Sequence, residues 1–453
     1  MSTATWTKKR PNWPAEVMNM KGFELGKDFL LGTATAALQI EGGDRTNNWY
    51  RWCEMEGKIK DGSHCLRAND HYNRVEEDIS LMKEMHNDTY RLGLEWSRIE
   101  PEPGQWSQEG LDHYRRELEL LLAAGITPLV TLHHFSHPLW FEDLGGWKSP
   151  KSPELFQKFT RAVVEHLGDL VQDWITINEP NVYAMGCCLT GEWPPGKKSI
   201  PSYFRVLRHM VLGHILAYKE IHSLREARGF PGETRVGVAN HIRVFDPEDN
   251  NRARRAARRL DYLFHTIVVQ GMVEGKISLP IGRGSYPLGK GFYMDFFGLN
   301  YYSRDIVAFS LKDPGLLFAQ LRTDTKLPKN DLGWDIYPEG LYQICKEYHA
   351  KYQVPIYITE NGICDADDDQ RPLFIYDHLA QVARLRSEGI PVERYYHWTL
   401  MDNFEWAEGE SAPFGLIHCD FETQQRTIRR SGEFYGEICK EKAVTPAIAK
   451  KYL

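Results

Sequence analysis

The chain alternates short apolar segments with amphipathic segments from one end to the other. Eight segments have the length and the β-branched or aromatic content of strands: FLLGTA, TYRLGLEW, TPLVTLHH, DWITINEP, VGVANHI, FFGLNYY, PIYITENG and YYHWTLMD. Helical periodicity appears between them, as in residues 111–125, where Leu111, Leu118 and Leu121 share one face. Eight β-α units without a linker rich in Gly or Ser predict an α/β fold, a single (β/α)8 TIM barrel.

The length of 453 residues agrees with one large barrel, because α/β barrels exceed the usual size of a domain. We therefore predict one catalytic domain over residues 1–453, with residues 1–28 forming an N-terminal extension that packs on the barrel. A helix over residues 152–171 is predicted to begin with Ser152 as its N-cap and Pro153 as its first residue.

Composition and charge exclude several classes of protein. A net charge of −7 and an isoelectric point near 6.2 argue against nucleic acid and anionic membranes as partners. The N-terminus lacks the apolar segment of a signal peptide, and the longest apolar stretch is interrupted by Gly125 and Pro128. Eight scattered cysteines without CxxC spacing indicate reduced thiols, so we expect a cytoplasmic protein.

An arginine-rich segment, RARRAARR, spans residues 252–259. Arg252, Arg255 and Arg259 share one helical face in a chain that is acidic as a whole, so a solvated outer helix is the favoured interpretation. A contact between copies in a homo-oligomer is left open.

Two strands that lie far apart in the chain each end on a glutamate. Glu179 closes TINEP and Glu360 closes YITENG, and each has an asparagine beside it. In a barrel, the carboxyl ends of all strands meet in one pocket. Glycoside hydrolysis needs two carboxylates across the scissile bond, one protonated to release the leaving group and one ionised to attack. The two glutamates are therefore candidates for this pair.

The other strand ends also carry polar or aromatic side chains. We expect Arg91 to hold one of the carboxylates ionised and Tyr302 to donate a hydrogen bond to the same group. The complete set suits a polyhydroxylated neutral ligand and comprises Gln39 with Glu41, Arg91, His134, Asn178, Asn300 with Tyr302, Trp398 and Glu405. The phosphate-binding alternative would need Gly-rich loops and more cations.

The segment HHFSH offers His133, His134 and His137 as metal ligands. Neighbouring residues of a strand point to opposite faces, so His133 and His134 cannot easily share an ion. We expect no metal, one sugar-binding histidine and two structural histidines.

These motifs resemble family 1 of the glycoside hydrolases, the β-glucosidase family. Beside TINEP and YITENG, the resemblance includes FLLGTATAALQIEGG, LGLEWSRIEPEPG, VTLHHFSHP, DFFGLNYYSR, LGWDIYPEGL and the long segment from WTLMDNFEW to TIRRS, and it extends over residues from about 29 to 436. It implies that Glu179 is the acid/base, that Glu360 is the nucleophile and that no cofactor is needed.

The resemblance also implies roles for the neighbouring residues. Arg91 and Tyr302 would orient Glu360, and Asn178 would bind the 2-hydroxyl of the sugar. The expected substrate-binding residues are Gln39, His134, Asn300, Trp334, Trp398, Glu405, Trp406 and Phe414.

We expect a retaining β-glycosidase that acts on terminal β-D-glucosyl residues of a small glycoside or oligosaccharide, with β-D-galactosyl or β-D-fucosyl residues as further substrates. Two alternatives stay open. The first is a 6-phospho-β-glycosidase, although such enzymes typically carry Ser where Glu405 stands here. The second is a non-catalytic sugar-binding barrel.

Overall fold

A computed structural model describes residues 22–285, 289–312 and 318–453. All eight predicted strands are present and form one closed barrel, which confirms the predicted fold. The barrel strands are β1 (Leu30–Ala34), β2 (Thr89–Gly93), β3 (Thr127–His133), β4 (Asp173–Asn178), β5 (Arg235–His241), β6 (Phe297–Asn300), β7 (Ile356–Asn361) and β8 (Val392–Trp398).

The strands follow one another around the barrel in chain order, and every neighbouring pair is parallel. The last strand closes the ring against the first, with Arg394 opposite Leu30 and Trp398 opposite Ala34. Because all strands point the same way, their carboxyl ends form one rim of the barrel.

Helices of seven or more residues surround the barrel and follow the strands. They are α1 (His71–Glu84), α2 (Gln108–Ala123), α3 (Ser152–Leu167), α4 (Ile200–Arg228), α5 (Asn251–Asp261), α6 (Ile267–Glu274), α7 (Pro338–Tyr352), α8 (Arg371–Ser387), α9 (Arg430–Glu441) and α10 (Pro446–Tyr452). Shorter helical turns lie at the carboxyl rim, among them Ala37–Ile40, Asn48–Cys53, Pro180–Met185 and Trp406–Ser411.

Two helix predictions can be compared with this result. Ser152 is the first residue of α3 and not its N-cap, because its hydroxyl donates backwards to the carbonyl oxygen of Ser149 at 2.7 Å. The arginine-rich segment forms α5, which buries Ala253, Ala256 and Ala257 and leaves its arginines exposed. A solvated outer helix is confirmed there.

Residues 22–28 of the predicted N-terminal extension contact the barrel's outer layer. Phe23–Glu24 pairs with Ala443–Val444, and Asp28 forms an ion pair with Arg386 of α8 at 2.9 Å. Residues 1–21 lie outside the described residues, so the extension and the single-domain assignment stay predictions. No helix in the described part of the chain combines the length and the apolar character needed to cross a membrane.

Smaller sheets lie outside the barrel. Val244–Pro247, Arg304–Phe309 and Ala319–Arg322 form a three-stranded sheet, and Ile417–Cys419 pairs with Arg426–Ile428 beyond β8. These additions stand above the barrel core and extend the loops that surround the carboxyl rim.

Candidate active site

A cavity of about 490 Å³ opens at the carboxyl rim of the barrel. Ten of the predicted site residues line it: His134, Asn178, Glu179, Tyr302, Trp334, Glu360, Trp398, Glu405, Trp406 and Phe414. The other three, Gln39, Arg91 and Asn300, are wholly buried and hydrogen-bond to residues that line it. The structure therefore brings these thirteen residues together.

Glu360 is held at the floor of the cavity by two donors. Arg91 Nη1 donates to its Oε1 at 2.5 Å, and the Tyr302 hydroxyl donates to its Oε2 at 2.6 Å. Both predicted contacts are confirmed. Burial raises the pKa of Glu360 to about 7, while the positive charge of Arg91 and the Tyr302 hydrogen bond act in the opposite direction.

Arg91, on β2, links the floor to β3, β4 and β7. Besides Glu360, its guanidinium donates to Asn178 Oδ1 at 2.7 Å and to the carbonyl oxygen of Thr359 at 3.1 Å, and its Nε donates to Thr131 Oγ1 at 3.1 Å. The side chain is 0% exposed. A buried guanidinium is tolerated only when it is paired and hydrogen-bonded, so this network fixes the geometry of the floor.

Glu179 is presented by a strained turn. Its backbone has φ 42°, in the left-handed region, where a non-glycine residue costs about 1–3 kcal/mol. Strand β4 ends one residue earlier, and Pro180 begins the short helix Pro180–Met185, so Glu179 occupies the corner between them. Asn300 Nδ2 donates to Glu179 Oε1 at 2.8 Å, and His241 Nδ1 lies 3.0 Å from the same oxygen.

The contacts of Asn300 differ from the expected sugar binding. Its Nδ2 donates to Asn178 Oδ1 and to Glu179 Oε1, and its Oδ1 accepts from Thr359 Oγ1 at 2.6 Å. Because both of its polar atoms are engaged by protein, Asn300 is placed to position Glu179 and Asn178 rather than to touch a sugar.

The far end of the cavity contains polar atoms without a protein partner. Gln39 Nε2 donates to Glu405 Oε2 at 3.0 Å, and burial raises the pKa of Glu405 to about 8. Asn178 Nδ2 donates to His134 Nε2 at 3.0 Å, so the proton of the neutral imidazole lies on Nδ1. Burial lowers the pKa of His134 well below its usual value.

Two buried atoms remain open to a ligand there. Among the described residues, Gln39 Oε1 and His134 Nδ1 find no hydrogen-bond partner. One is an acceptor and the other a donor, which is the pairing that a hydroxyl group satisfies. Burying such atoms unpaired costs about 1–3 kcal/mol each, so this end of the cavity is built for a polar ligand.

Aromatic rings form the walls. The His134 ring lies 5.7 Å from both Trp398 and Trp406, and nearer the entrance Trp334 lies 6.2 Å from Phe414. Flat apolar faces of this kind suit the C–H faces of a pyranose ring as well as an aryl group.

The structure moves one sequence candidate away from the cavity. Glu41 was grouped with Gln39 at the end of the first strand, but that assignment is wrong. The strand ends at Ala34 and residues Ala37–Ile40 form a helical turn, so residues two apart point to different sides. Glu41 accepts from Arg98 at 2.6 Å and from Tyr114 at 2.8 Å instead.

Sequence reasoning missed His241, which closes β5 and contacts Glu179. The sequence contains a signal for it, because VGVANHI is predicted as a strand and His241, its penultimate residue, is a polar side chain close to the carboxyl end of that strand. The predicted structural histidines lie away from the cavity: His133 accepts from Trp147 Nε1 at 3.0 Å, and His137 pairs with Glu142 at 2.8 Å.

A (β/α)8 barrel with two buried glutamates in one rim cavity has the architecture of a glycoside hydrolase. Comparison with known proteins identifies the family. Residues 22–444 match the model of glycosyl hydrolase family 1, and the chain belongs to this family.

Relatives cover almost the full length. Beta-glucosidase A of Thermotoga maritima is 34% identical over 93% of this chain and 99% of its own. Beta-glucosidase A of Acetivibrio thermocellus is 33% identical over 91% and 98%. Among solved structures, the beta-glucosidase from Thermotoga maritima in complex with glucoimidazole superposes with a TM-score of 0.85 at 33% identity, covering 92% of this chain and 99% of that chain.

Proposed function

We propose that the chain is a retaining β-glucosidase in which Glu360 is the nucleophile and Glu179 is the acid/base. The observation that carries the assignment is the difference between the partners of the two glutamates. Glu360 contacts a guanidinium and a tyrosine hydroxyl, which favour a carboxylate that attacks. Among the described residues, no arginine pairs with Glu179, whose side chain contacts Asn300 and His241.

The reaction would proceed in two displacements. In the first, Glu360 forms a bond to the anomeric carbon while the bond to the leaving oxygen breaks and Glu179 gives its proton to that oxygen. In the second, Glu179 takes a proton from water, whose oxygen replaces Glu360 at the anomeric carbon. Asn178, fixed by Arg91 and Asn300, has a second Nδ2 hydrogen available for the 2-hydroxyl of the sugar.

The far end of the cavity suits an unphosphorylated hexose. One hydroxyl would donate to Gln39 Oε1 and accept from His134 Nδ1, and Glu405 would accept from the hydroxyls at C4 and C6. A phosphate at C6 would meet the Glu405 carboxyl, and the following segment EGESAPFG supplies no lysine. The glucoimidazole complex of the Thermotoga maritima enzyme supports a glucose-shaped ligand.

Azide rescue tests both roles. Glu179→Ala should still be glycosylated by an activated aryl β-glucoside, because its leaving group needs little protonation, and should then stall. Azide needs no general base, so it should restore turnover and give the β-glucosyl azide. In Glu360→Ala, azide should enter the vacated space and give the α-glucosyl azide.

Proton NMR of the azide products separates the anomers. An α product from Glu179→Ala, or a β product from Glu360→Ala, would exchange the two roles. Full hydrolytic activity in either variant would remove that residue from the mechanism. Absence of hydrolysis by the unaltered enzyme would instead leave the non-catalytic barrel as the better description.

The glycone is tested with the unaltered enzyme. The panel consists of the nitrophenyl β-glucoside, β-galactoside, β-fucoside and 6-phospho-β-glucoside. We expect a higher kcat/KM for the β-glucoside than for the 6-phospho-β-glucoside. A preference for the 6-phospho substrate would replace the β-glucosidase assignment with its phosphate-dependent alternative.

A further inference from the structure

A cluster of sulfur and nitrogen donors lies at the base of a loop beside the cavity. Cys53 ends the short helix Asn48–Cys53, and His64 and Cys65 stand where the following loop returns. One donor atom from each of the three residues lies within 4.8 Å of the other two. Within residues 22–285, 289–312 and 318–453, no other three histidine, cysteine or acidic residues are grouped in this way.

We propose that Cys53, His64 and Cys65 form a binding site for a thiophilic metal ion of the Zn²⁺ type. Two thiols and an imidazole are the donors that Zn²⁺ prefers. In a tetrahedral site, Zn–S bonds of about 2.3 Å and Zn–N bonds of about 2.0 Å place sulfur and nitrogen about 3.5 Å apart. Cys65 Sγ and His64 Nδ1 lie 3.9 Å apart, and all three donor atoms lie within 4.8 Å of one another, so the donors would have to approach by up to about 1 Å.

The orientation of His64 suits this role. Its Nε2 lies 3.1 Å from Glu54 Oε1, and its Nδ1 accepts the backbone N–H of Leu66 at 3.0 Å. These contacts put the ring proton on Nε2, so Nδ1 carries the lone pair, with Cys65 Sγ 3.9 Å away. A carboxylate behind the histidine is a recurrent feature of metal sites. The ion would replace the Leu66 amide as the partner of Nδ1.

The proposed site can be reached from solvent and leaves one coordination position open. Cys53 and His64 are partly exposed while Cys65 is buried, so an ion can enter from solvent. Three protein ligands leave a fourth place for water, as in zinc sites that are not purely structural.

The ion would fasten a loop that forms part of the cavity entrance. Gly57, Lys58 and Lys60 of this loop line the cavity. The Lys60 amide donates to the carbonyl oxygen of Ala407 at 2.9 Å, and Asp61 Oδ2 accepts the amides of Glu410 and Ser411 at 2.7 and 2.9 Å. Occupancy of the site would therefore order the entrance without touching the reacting atoms.

Binding is measured on the full chain, reduced and freed of metal by a chelator. Titration with Co²⁺ should give one equivalent of binding and a sulfur-to-cobalt charge-transfer band. Added Zn²⁺ should displace Co²⁺ and remove the band. Saturation at one equivalent would support the site. Absence of the band, or a thiol count that shows Cys53 and Cys65 joined in a disulfide in the reduced preparation, would overturn it.

Variants locate the site. Cys53→Ser and His64→Ala should lose the band, and Glu54→Gln should weaken binding about tenfold because it only orients the histidine. Cys188→Ser is the matched control: Cys187 and Cys188 form a thiol pair with Sγ atoms 3.4 Å apart but no grouped histidine. An unchanged band in Cys53→Ser, or its loss in Cys188→Ser, would place the ion elsewhere.

Hydrolysis of an activated aryl glucoside shows that each variant is folded. Bound Zn²⁺ should lower the KM for cellobiose. It should leave the kcat for the aryl glucoside unchanged. In Cys53→Ser, the KM for cellobiose should no longer depend on Zn²⁺. Equal KM for cellobiose with and without Zn²⁺ would overturn the link between the metal site and the entrance. The Co²⁺ spectra test the metal site itself. The azide products test the proposed catalytic roles separately.

Discussion

The floor and the entrance of the cavity are built on different principles. At the floor, Glu360 is 3% exposed and is held by strand-borne donors, of which Arg91 is 0% exposed. At the entrance, loop residues meet in partly exposed pairs, such as Lys60 with Glu408 and Lys58 over the ring of Trp52 at 4.3 Å. Buried networks hold one geometry, whereas exposed ion pairs contribute little energy.

From this contrast we infer that the floor carries out the chemistry and that the entrance selects the leaving group. A rigid floor pre-organises charge for the transition state, which is where enzymes gain most of their rate. Loop-borne side chains can vary without disturbing it. Changes at the floor should therefore lower the rate of the chemical step, and changes at the entrance should alter binding.

The largest effect is expected for Glu360→Gln. Without a nucleophile, kcat for an aryl β-glucoside should fall by at least about 10⁴-fold. Steady-state kinetics measures it, with Glu408→Gln at the entrance as the matched control. That control should stay within about threefold of the unaltered enzyme, because an exposed ion pair is weak. Comparable losses in both variants would abolish the distinction between floor and entrance.

Glu405→Ser should have the next largest effect. The change removes the proposed acceptor of sugar hydroxyls, a loss of about 1–3 kcal/mol or roughly 5–150-fold in kcat/KM for glucosides. A β-xyloside lacks the 6-hydroxymethyl group and should lose less. If xyloside and glucoside lose the same factor, Glu405 does not bind the C6 hydroxyl.

Tyr302→Phe should change the pH dependence of kcat/KM. The Tyr302 hydrogen bond lowers the pKa of Glu360, so its removal raises that pKa, and the acid limb should move to higher pH by up to about one unit. The control is His241→Asn, which changes a contact of Glu179 and should leave the acid limb in place. An unmoved acid limb in Tyr302→Phe would assign that limb to another group.

The smallest effect is expected for Trp334→Ala at the entrance. Loss of an aromatic face is worth about 0.5–1.5 kcal/mol, so KM for aryl glucosides should rise about two- to tenfold with kcat nearly unchanged. Inhibition by free glucose provides the comparison, because on the proposed function glucose should occupy only the far end of the cavity. A fall in kcat as large as that of Glu405→Ser would show that the entrance also shapes the transition state.

The same division explains what the sequence could predict. Strand ends are tied to the barrel, so Arg91, Tyr302 and Glu360 could be placed together from the pattern alone. Glu41 was misplaced because a helical turn follows β1, which strand periodicity does not reveal. The contact of Gln39 with Glu405 joins residues 366 positions apart and depends on how the chain beyond β8 folds back over the rim. Non-local loop contacts of this kind leave no local pattern.

The left-handed backbone of Glu179 lowers the stability of the fold at a position where the side chain is needed for activity. Glycine is the residue that occupies φ 42° without strain, but glycine has no side-chain carboxyl group to act as the acid/base. A laboratory selection that rewards only resistance to heat would therefore favour an inert chain at this position. Substitutions intended to stabilise an active form of this protein are therefore best chosen outside the corner between β4 and Pro180.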